Sequence, residues 1–300
     1  MFNPARMMSF NYLKSRWNKK PDSSPRVVSD SAPLPLYDIY EDTFEVVRAT
    51  TPELKEAAHR LRYQVYCMET GFENPAEFPD GLEKDAYDPR SVHTLLIHRK
   101  SGMLVGNVRL VLPDIKNPFQ SFPMQQMFSH KRMDNPEHLQ RSCEVSRFCV
   151  SKNFRKREED KDNLYTGVFL HNHMSPLSLF KKHDQRRVIP FTPLGLMRAI
   201  YEMMIEHDIV WAYGVLEPTL IRLLKKLGIE FNILGPAVSF HGERYPLEMD
   251  PLGIWRSVKK KHPEIWKVLT KNGTLVEKME ALIARYEHKE KNASMRREMK

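Results

Sequence analysis

Apolar residues along this chain recur at two spacings, and each change of spacing marks a new element. Phe44-Glu-Val-Val-Arg-Ala alternates and predicts a short strand. Thr51 and Pro52 then supply an N-cap and a first-turn proline. Behind them Leu54, Ala57, Ala58, Leu61, Val65 and Met68 form one helical stripe, with Arg62 and Tyr66 sharing a neighbouring face. The stretch from Gly71 to Asp88 reads as a long acidic loop, a length that in compact domains accompanies function.

Val92–His98 and Met103–Leu112 read as strands joined through 99–102. Residues 113–141 are expected to be an irregular polar excursion, and Ser142–Val150 a further strand. A helix is expected from about Pro193 to His207, with Leu194, Met197, Ile200 and Met204 on one side, followed by a buried strand over Ile209–Leu216. Glu217-Pro218 opens another helix that Gly228 closes. Phe231–Phe240 resembles a strand broken by Gly235-Pro236, and residues 252–300 carry a basic helical pattern. Residues 158–190 give no clear period.

This order predicts a mixed α+β fold, a central twisted sheet flanked by helices, without the regular rhythm of a doubly wound sheet. The expected organisation is a flexible arm over 1–43, one domain over 44–250, and a basic helical extension over 251–300. The arm holds Pro21, Pro25, Pro33 and Pro35 with several serines. Phe10, Tyr12, Leu13 and Trp17 among Lys14, Arg16, Lys19 and Lys20 allow two readings, a disordered tail or a short amphipathic helix on a membrane or partner.

Composition narrows this picture. With 300 residues, 41% hydrophobic and 28% charged, the chain can build a core without disulfides. Cys67, Cys143 and Cys149 form no C-x-x-C pair, and Cys67 and Cys149 lie in apolar patterns, which predicts reduced thiols and a cytoplasmic protein. No stretch reaches the roughly 20 apolar residues of a membrane span, and the N-terminus lacks a secretory core. A net charge of +9 calls for an acidic partner. No nucleic-acid-binding signature is present, which leaves an acidic carrier protein or an anionic membrane surface.

Several charges sit inside apolar patterns, where an unpaired ion would cost several kcal/mol or more. They are Arg62 with Tyr66; Glu83, Asp85 and Asp88; Arg109 closing Gly106-Asn-Val-Arg; and Glu144-Val-Ser146-Arg147-Phe148. In that order they resemble the pattern of the GNAT acyltransferase superfamily. Within it, the chain is similar to autoinducer (acyl-homoserine lactone) synthases, N-acyl amino acid synthases and acyltransferases associated with PEP-CTERM/exosortase systems. The resemblance covers residues 62–148. Beyond it, Val150–Arg157, Pro193-Leu-Gly-Leu and Gly235–Pro246 look more like the last two groups. The tryptophan of the autoinducer enzymes is missing, with Phe72 the nearest aromatic. Both departures count against S-adenosylmethionine as acceptor.

The resemblance implies transfer of a fatty acyl group from acyl carrier protein, or from acyl-CoA, to a small amine or amino acid, with no permanently bound cofactor. N-acylation needs a base for the amine, and Glu144 in an apolar strand is the candidate, since burial raises a carboxyl pKa. The alternative is a Glu144 that merely pairs with Arg147. A regular strand puts 144 and 147 on opposite faces, and the resemblance implies a bulge or splay that brings them together and frees N–H groups. Arg62, Arg109, Asp85 and Asp88 are expected to form an ion network ordering the long loop, structural or ligand-contacting. Asp85 or Asp88 is also a candidate for a substrate ammonium. Arg244, with His241 beside it, is either a carboxylate clamp or a solvated loop arginine.

No glycine-rich pyrophosphate loop follows Val150. Lys152, Arg155, Lys156 and Arg157 stand there instead, as candidate carrier-docking residues or a solvated charge run. His171, His173 and His183 lack acidic or cysteine partners at ligand spacing, so no metal is expected. The methionines near residue 200 are core filler or the lining of an acyl tunnel. Two rival functions stay open, an S-adenosylmethionine-using autoinducer synthase and a non-catalytic binding protein with the same fold.

Overall fold

A computed structural model of the chain describes residues 35–152 and 191–298. Eight strands share one sheet: β1 (Phe44–Arg48), β2 (Ser91–His98), β3 (Met103–Val111), β4 (Ser142–Val150), β5 (Trp211–Leu216), β6 (Asn232–Ile233), β7 (Val238–Ser239) and β8 (Glu243–Met249). Their order is β1-β2-β3-β4-β5-β8-β6, with β7 pairing β8. Every pairing is antiparallel except β4 with β5. The architecture is the expected mixed α/β one, a mostly antiparallel sheet flanked by helices.

The helices are α1 (Leu36–Thr43), α2 (Pro52–Arg62), α3 (Pro136–Leu139), α4 (Phe191–Glu206), α5 (Pro218–Lys226), α6 (Pro251–Lys261), α7 (Pro263–Thr270) and α8 (Thr274–Glu298). Both faces of β2 are covered, so its residues divide between two cores. Leu95 and Ile97 meet Leu54 and Ala58 of α2, while Leu96 joins the large cluster around α4. Thr51 caps α2 as expected, its hydroxyl accepting from the Leu54 N–H at 3.4 Å. A helix buried on nearly every side, as α4 is over Phe191–Met204, belongs between a sheet and further helices.

Three expectations need correction, and one strand was not anticipated. The arm ends before residue 36, because α1 docks: Tyr40 is buried against Phe44 and Phe191. The expected extension is part of the main core, since Trp255, Val258, Ile265, Leu275, Met279 and Leu282 pack into the same cluster as α4. The chain from Glu243 to Met249 is a full strand, placed between β5 and β6. Finally, α2 runs into a π-helical turn over Tyr63–Glu69. The wider turn changes the phase of the apolar stripe, so Val65 and Cys67 face inward and Met68 is 65% exposed. The basic segment around Trp17 lies outside the described residues, as do 158–190.

Candidate active site

β4 and β5 pair only over Ser142–Glu144 and Trp211–Tyr213. Beyond that register the strands separate, and a cavity of about 780 Å³ occupies the wedge. Val145, Phe148 and Val150 form one wall, Leu216, Leu220 and Leu224 another, and Met197 and Ile200 of α4 lie beneath. Its size and apolar walls suit a small-molecule or acyl-chain site. The expected splay is therefore present.

Glu144 stands where the wedge opens. Its side chain is buried, and its Oε2 accepts the Met124 N–H at 2.8 Å. Burial pushes its carboxyl up to about 7, against the lowering pull of that N–H and of Arg109 and Arg147. A carboxyl raised towards neutrality in this way can exchange a proton near neutral pH, which is what a general base requires. Phe122, Met124, Met133 and Leu139 supply the dry cover over it. They come from the excursion that reads as polar, so sequence pattern did not reveal the lid of the site.

One extra residue on β4 shifts the register from Asn107–Cys149 to Arg109–Ser146. Arg147 sits in this bulge with φ of 50°, a left-handed conformation uncommon for a side-chain-bearing residue. The bulge turns Arg147 to the face that carries Glu144 and Ser146. It does not pair with Glu144: its guanidinium reaches Glu83 at 2.9 Å, Asp85 at 3.2 Å and Glu73 at 3.7 Å. The pairing alternative for Glu144 is thereby removed.

The remaining expected charges alternate in one network. Fully buried Arg62 binds Glu83 and reaches Asp88 at 2.6 Å. Arg109 reaches Asp85 at 2.6 Å, Asp88 at 3.1 Å and Ser146 Oγ at 2.9 Å. Burial alone would raise the carboxyls of Glu83, Asp85 and Asp88; the guanidinium groups, with His93 at 3.2 Å from Asp88, reverse this and hold all three below the usual range. The network pins the long loop to β2–β4. Asp85, Arg109 and Arg147 also line the cavity, whereas Arg62, Glu83 and Asp88 lie behind it. Of the two acids considered for an ammonium, only Asp85 faces the cavity.

Tyr66, Phe72, His241 and Arg244 gather at the cavity mouth. Tyr66 and Phe72 stack at 6.5 Å, and Phe72 and His241 at 5.8 Å. Arg147 lies over the Tyr66 ring and Arg244 over the Phe72 ring. His241 is held at the tip of the β7–β8 turn with φ of 47°, and its Nε2 lies 3.7 Å from Glu73. Arg244 lies 3.5 Å from Glu217.

Val150 lines the cavity and Lys152 flanks its end, but the Lys152 ammonium is tied to the Glu69 carbonyl at 2.6 Å rather than free. Arg155, Lys156 and Arg157 lie outside the described residues, as do His171, His173 and His183. Among the described residues, His59, Asp88 and His93 bring ligand-type atoms within 4.8 Å of one another. Asp88 Oδ1 already receives Arg62 and Arg109, and two guanidinium charges at that oxygen oppose a bound cation. No helix among them is long and apolar enough to cross a membrane.

Residues 61–161, which hold this network and β2–β4, match the acetyltransferase (GNAT) domain family. No curated protein is similar enough in sequence to match. Among solved structures, the CoA-dependent acyl-homoserine lactone synthase BjaI, with SAM and isopentyl-CoA, is 18% identical; the match covers 74% of this chain and 89% of that one, with a TM-score of 0.45. TofI, in a ternary complex with an inhibitor and MTA, is 17% identical over 78% of this chain and 99% of its own, at 0.49. FeeM, an N-acyl amino acid synthase from uncultured soil microbes, is 13% identical over 73% and 97%, at 0.46. The family match spans the segment that carries the buried ion network and most of the residues around Glu144.

Proposed function

We propose that this protein moves a fatty acyl group from a phosphopantetheine thioester, borne by acyl carrier protein or coenzyme A, to the amine of an amino acid or similar small molecule. The observation that carries the reading is a buried carboxylate poised near neutrality at the head of an apolar cleft. Glu144 takes a proton from the acceptor ammonium, and the freed nitrogen attacks the thioester carbonyl. The N–C bond forms as the C–S bond breaks; the nitrogen's second proton passes to the departing thiolate, which leaves as a thiol, and Glu144 returns the first proton to solvent. The unpaired edge of β4 past Glu144 offers backbone N–H groups to the developing oxyanion.

The apolar wedge below takes the acyl chain. Arg244 at the mouth attracts a carboxylate of the acceptor. Arg147, Arg109 and the acids behind them hold the floor of the site rigid, which keeps the reacting atoms aligned.

The test is direct. Purified protein is incubated with long-chain acyl carrier protein, mixed amino acids and, in a separate arm, S-adenosylmethionine, and products are read by mass spectrometry. N-acyl amino acids absent from a Glu144→Ala reaction support the reading. Full activity in that variant, or no amide product in any arm, contradicts it.

A further inference from the structure

Where the cleft ends, the polypeptide has filled an anion site with its own carboxylate. Just past β4, the Lys152 N–H donates to Glu69 Oε2 at 2.8 Å, and the Ser151 hydroxyl to Glu69 Oε1 at 3.1 Å. The Gln64 amide adds a bond to Oε1 at 2.9 Å, and the Lys152 ammonium binds the Glu69 carbonyl. Ser151 is buried, and Glu69, Thr70 and Lys152 all border the cavity. Donors that converge like this ordinarily suit an exogenous anion such as a phosphate. Here they face an internal negative charge. The π-helical turn over Tyr63–Glu69 is what carries the Glu69 side chain to the end of β4.

The opposite rim has the other sign. Arg222 and Lys226 of α5 are exposed and border the same cavity. Their cations remain available to an acidic partner approaching from outside, whereas at the inner corner the Lys152 N–H, the Ser151 hydroxyl and the Lys152 ammonium are already engaged by Glu69.

We propose that Glu69 selects the acyl donor, favouring a thioester on the single-phosphate arm of a carrier protein over one on diphosphate-bearing coenzyme A. This inference rests on the acyl-transfer reading above. A carrier-bound arm presents one phosphodiester, which stays at the rim near Arg222 and Lys226. The diphosphate of coenzyme A brings several negative charges to a corner whose donors are already engaged. Like-charge juxtaposition is a strong device for rejecting the wrong partner.

The test compares donors carrying one acyl chain: acyl-pantetheine, acyl-phosphopantetheine, acyl-CoA and acyl carrier protein, with wild type and Glu69→Gln. In wild type, kcat/KM for acyl-CoA is expected to fall about tenfold or more below acyl-phosphopantetheine. Glu69→Gln keeps an acceptor oxygen for Lys152 and removes the charge. It is expected to raise acyl-CoA use several-fold while moving the acyl-pantetheine rate by less than about twofold. Equal use of acyl-CoA and acyl-phosphopantetheine by wild type overturns the proposal even if the variant fails to fold. A uniform change across all donors in Glu69→Gln also overturns it, because that is the mark of a purely structural residue. Transfer from no donor at all removes the acyl-transfer reading itself, a result distinct from equal use.

Discussion

Glu144 and Arg147, three residues apart on one strand, share a face of the sheet and yet do not pair. The bulge at Arg147 sends its guanidinium to Glu83 and Asp85, while Glu144, among the described residues, accepts from the Met124 N–H. The separation leaves the carboxyl high enough in pKa to exchange a proton near neutrality.

The same elevation makes stability depend on pH. The folded-state pKa of about 7 lies above the ordinary 4.5, so the native state holds this proton more tightly than the unfolded chain. The contribution of Glu144 is then most favourable below pH 4.5 and is lost as pH rises towards 7. Glu144→Gln has no charge to bury. Relative to wild type it is expected to gain roughly 3 kcal/mol between pH 4 and pH 8. Urea unfolding at the two pH values measures this, and a pH-independent difference would count against a buried, elevated Glu144.

Arg62 supports the network from behind without facing the cavity. Arg62→Met leaves Glu83 and Asp88 short of their buried partner, and a loss of about 3–5 kcal/mol is expected. Denaturant midpoints report it directly. A loss below about 1 kcal/mol would mean that solvent reaches these acids.

The α1–α4–β2 contact is equally specific. A Cβ on Gly195 would come within 2.6 Å of the Tyr40 hydroxyl and 2.8 Å of Leu96 Cδ1. Gly195→Ala is expected to cost about 1–3 kcal/mol through overpacking. Among the described residues, the buried Tyr40 hydroxyl has no hydrogen-bond partner. Tyr40→Phe should therefore be tolerated alone and should recover part of the Gly195→Ala loss in the double variant. Thermal unfolding of the four proteins tests this, and strict additivity would contradict the contact.

Half-buried Leu220 projects into the proposed acyl wedge from α5. Leu220→Trp shortens the space and is expected to shift kcat/KM towards shorter acyl chains by about tenfold per lost pair of methylenes. An unchanged chain-length profile, measured by competition between donors, would place the acyl chain elsewhere.

Much of the site was legible because charges inside apolar strands stand out. Arg62, Glu83, Asp85, Asp88, Arg109 and Arg147 all join one network, and Glu144 lies at its edge. The parts that escaped depend on tertiary contact. The strand over Glu243–Met249 has a proline, Pro246, at its centre, a residue that cannot donate to a ladder. In the folded chain its carbonyl accepts from Leu234 and its position pairs with Val215. The helix at 36–43 is stabilised by Tyr40 meeting Phe191, a contact between residues far apart in the chain. Glu69 reads as an ordinary helical acid until the π turn points it at Lys152. The cover over Glu144 is built from short 3-10 turns, whose apolar residues follow no period.

The pH dependence of kcat measures the central claim most directly. With saturating acyl donor and amine, the rate of wild type is expected to rise through an apparent pKa near 7 as Glu144 loses its proton. Glu144→Gln is expected to fall by about 10²–10⁴-fold and to lose that inflection. A Glu144→Gln enzyme with the wild-type rate and the same inflection would contradict the account.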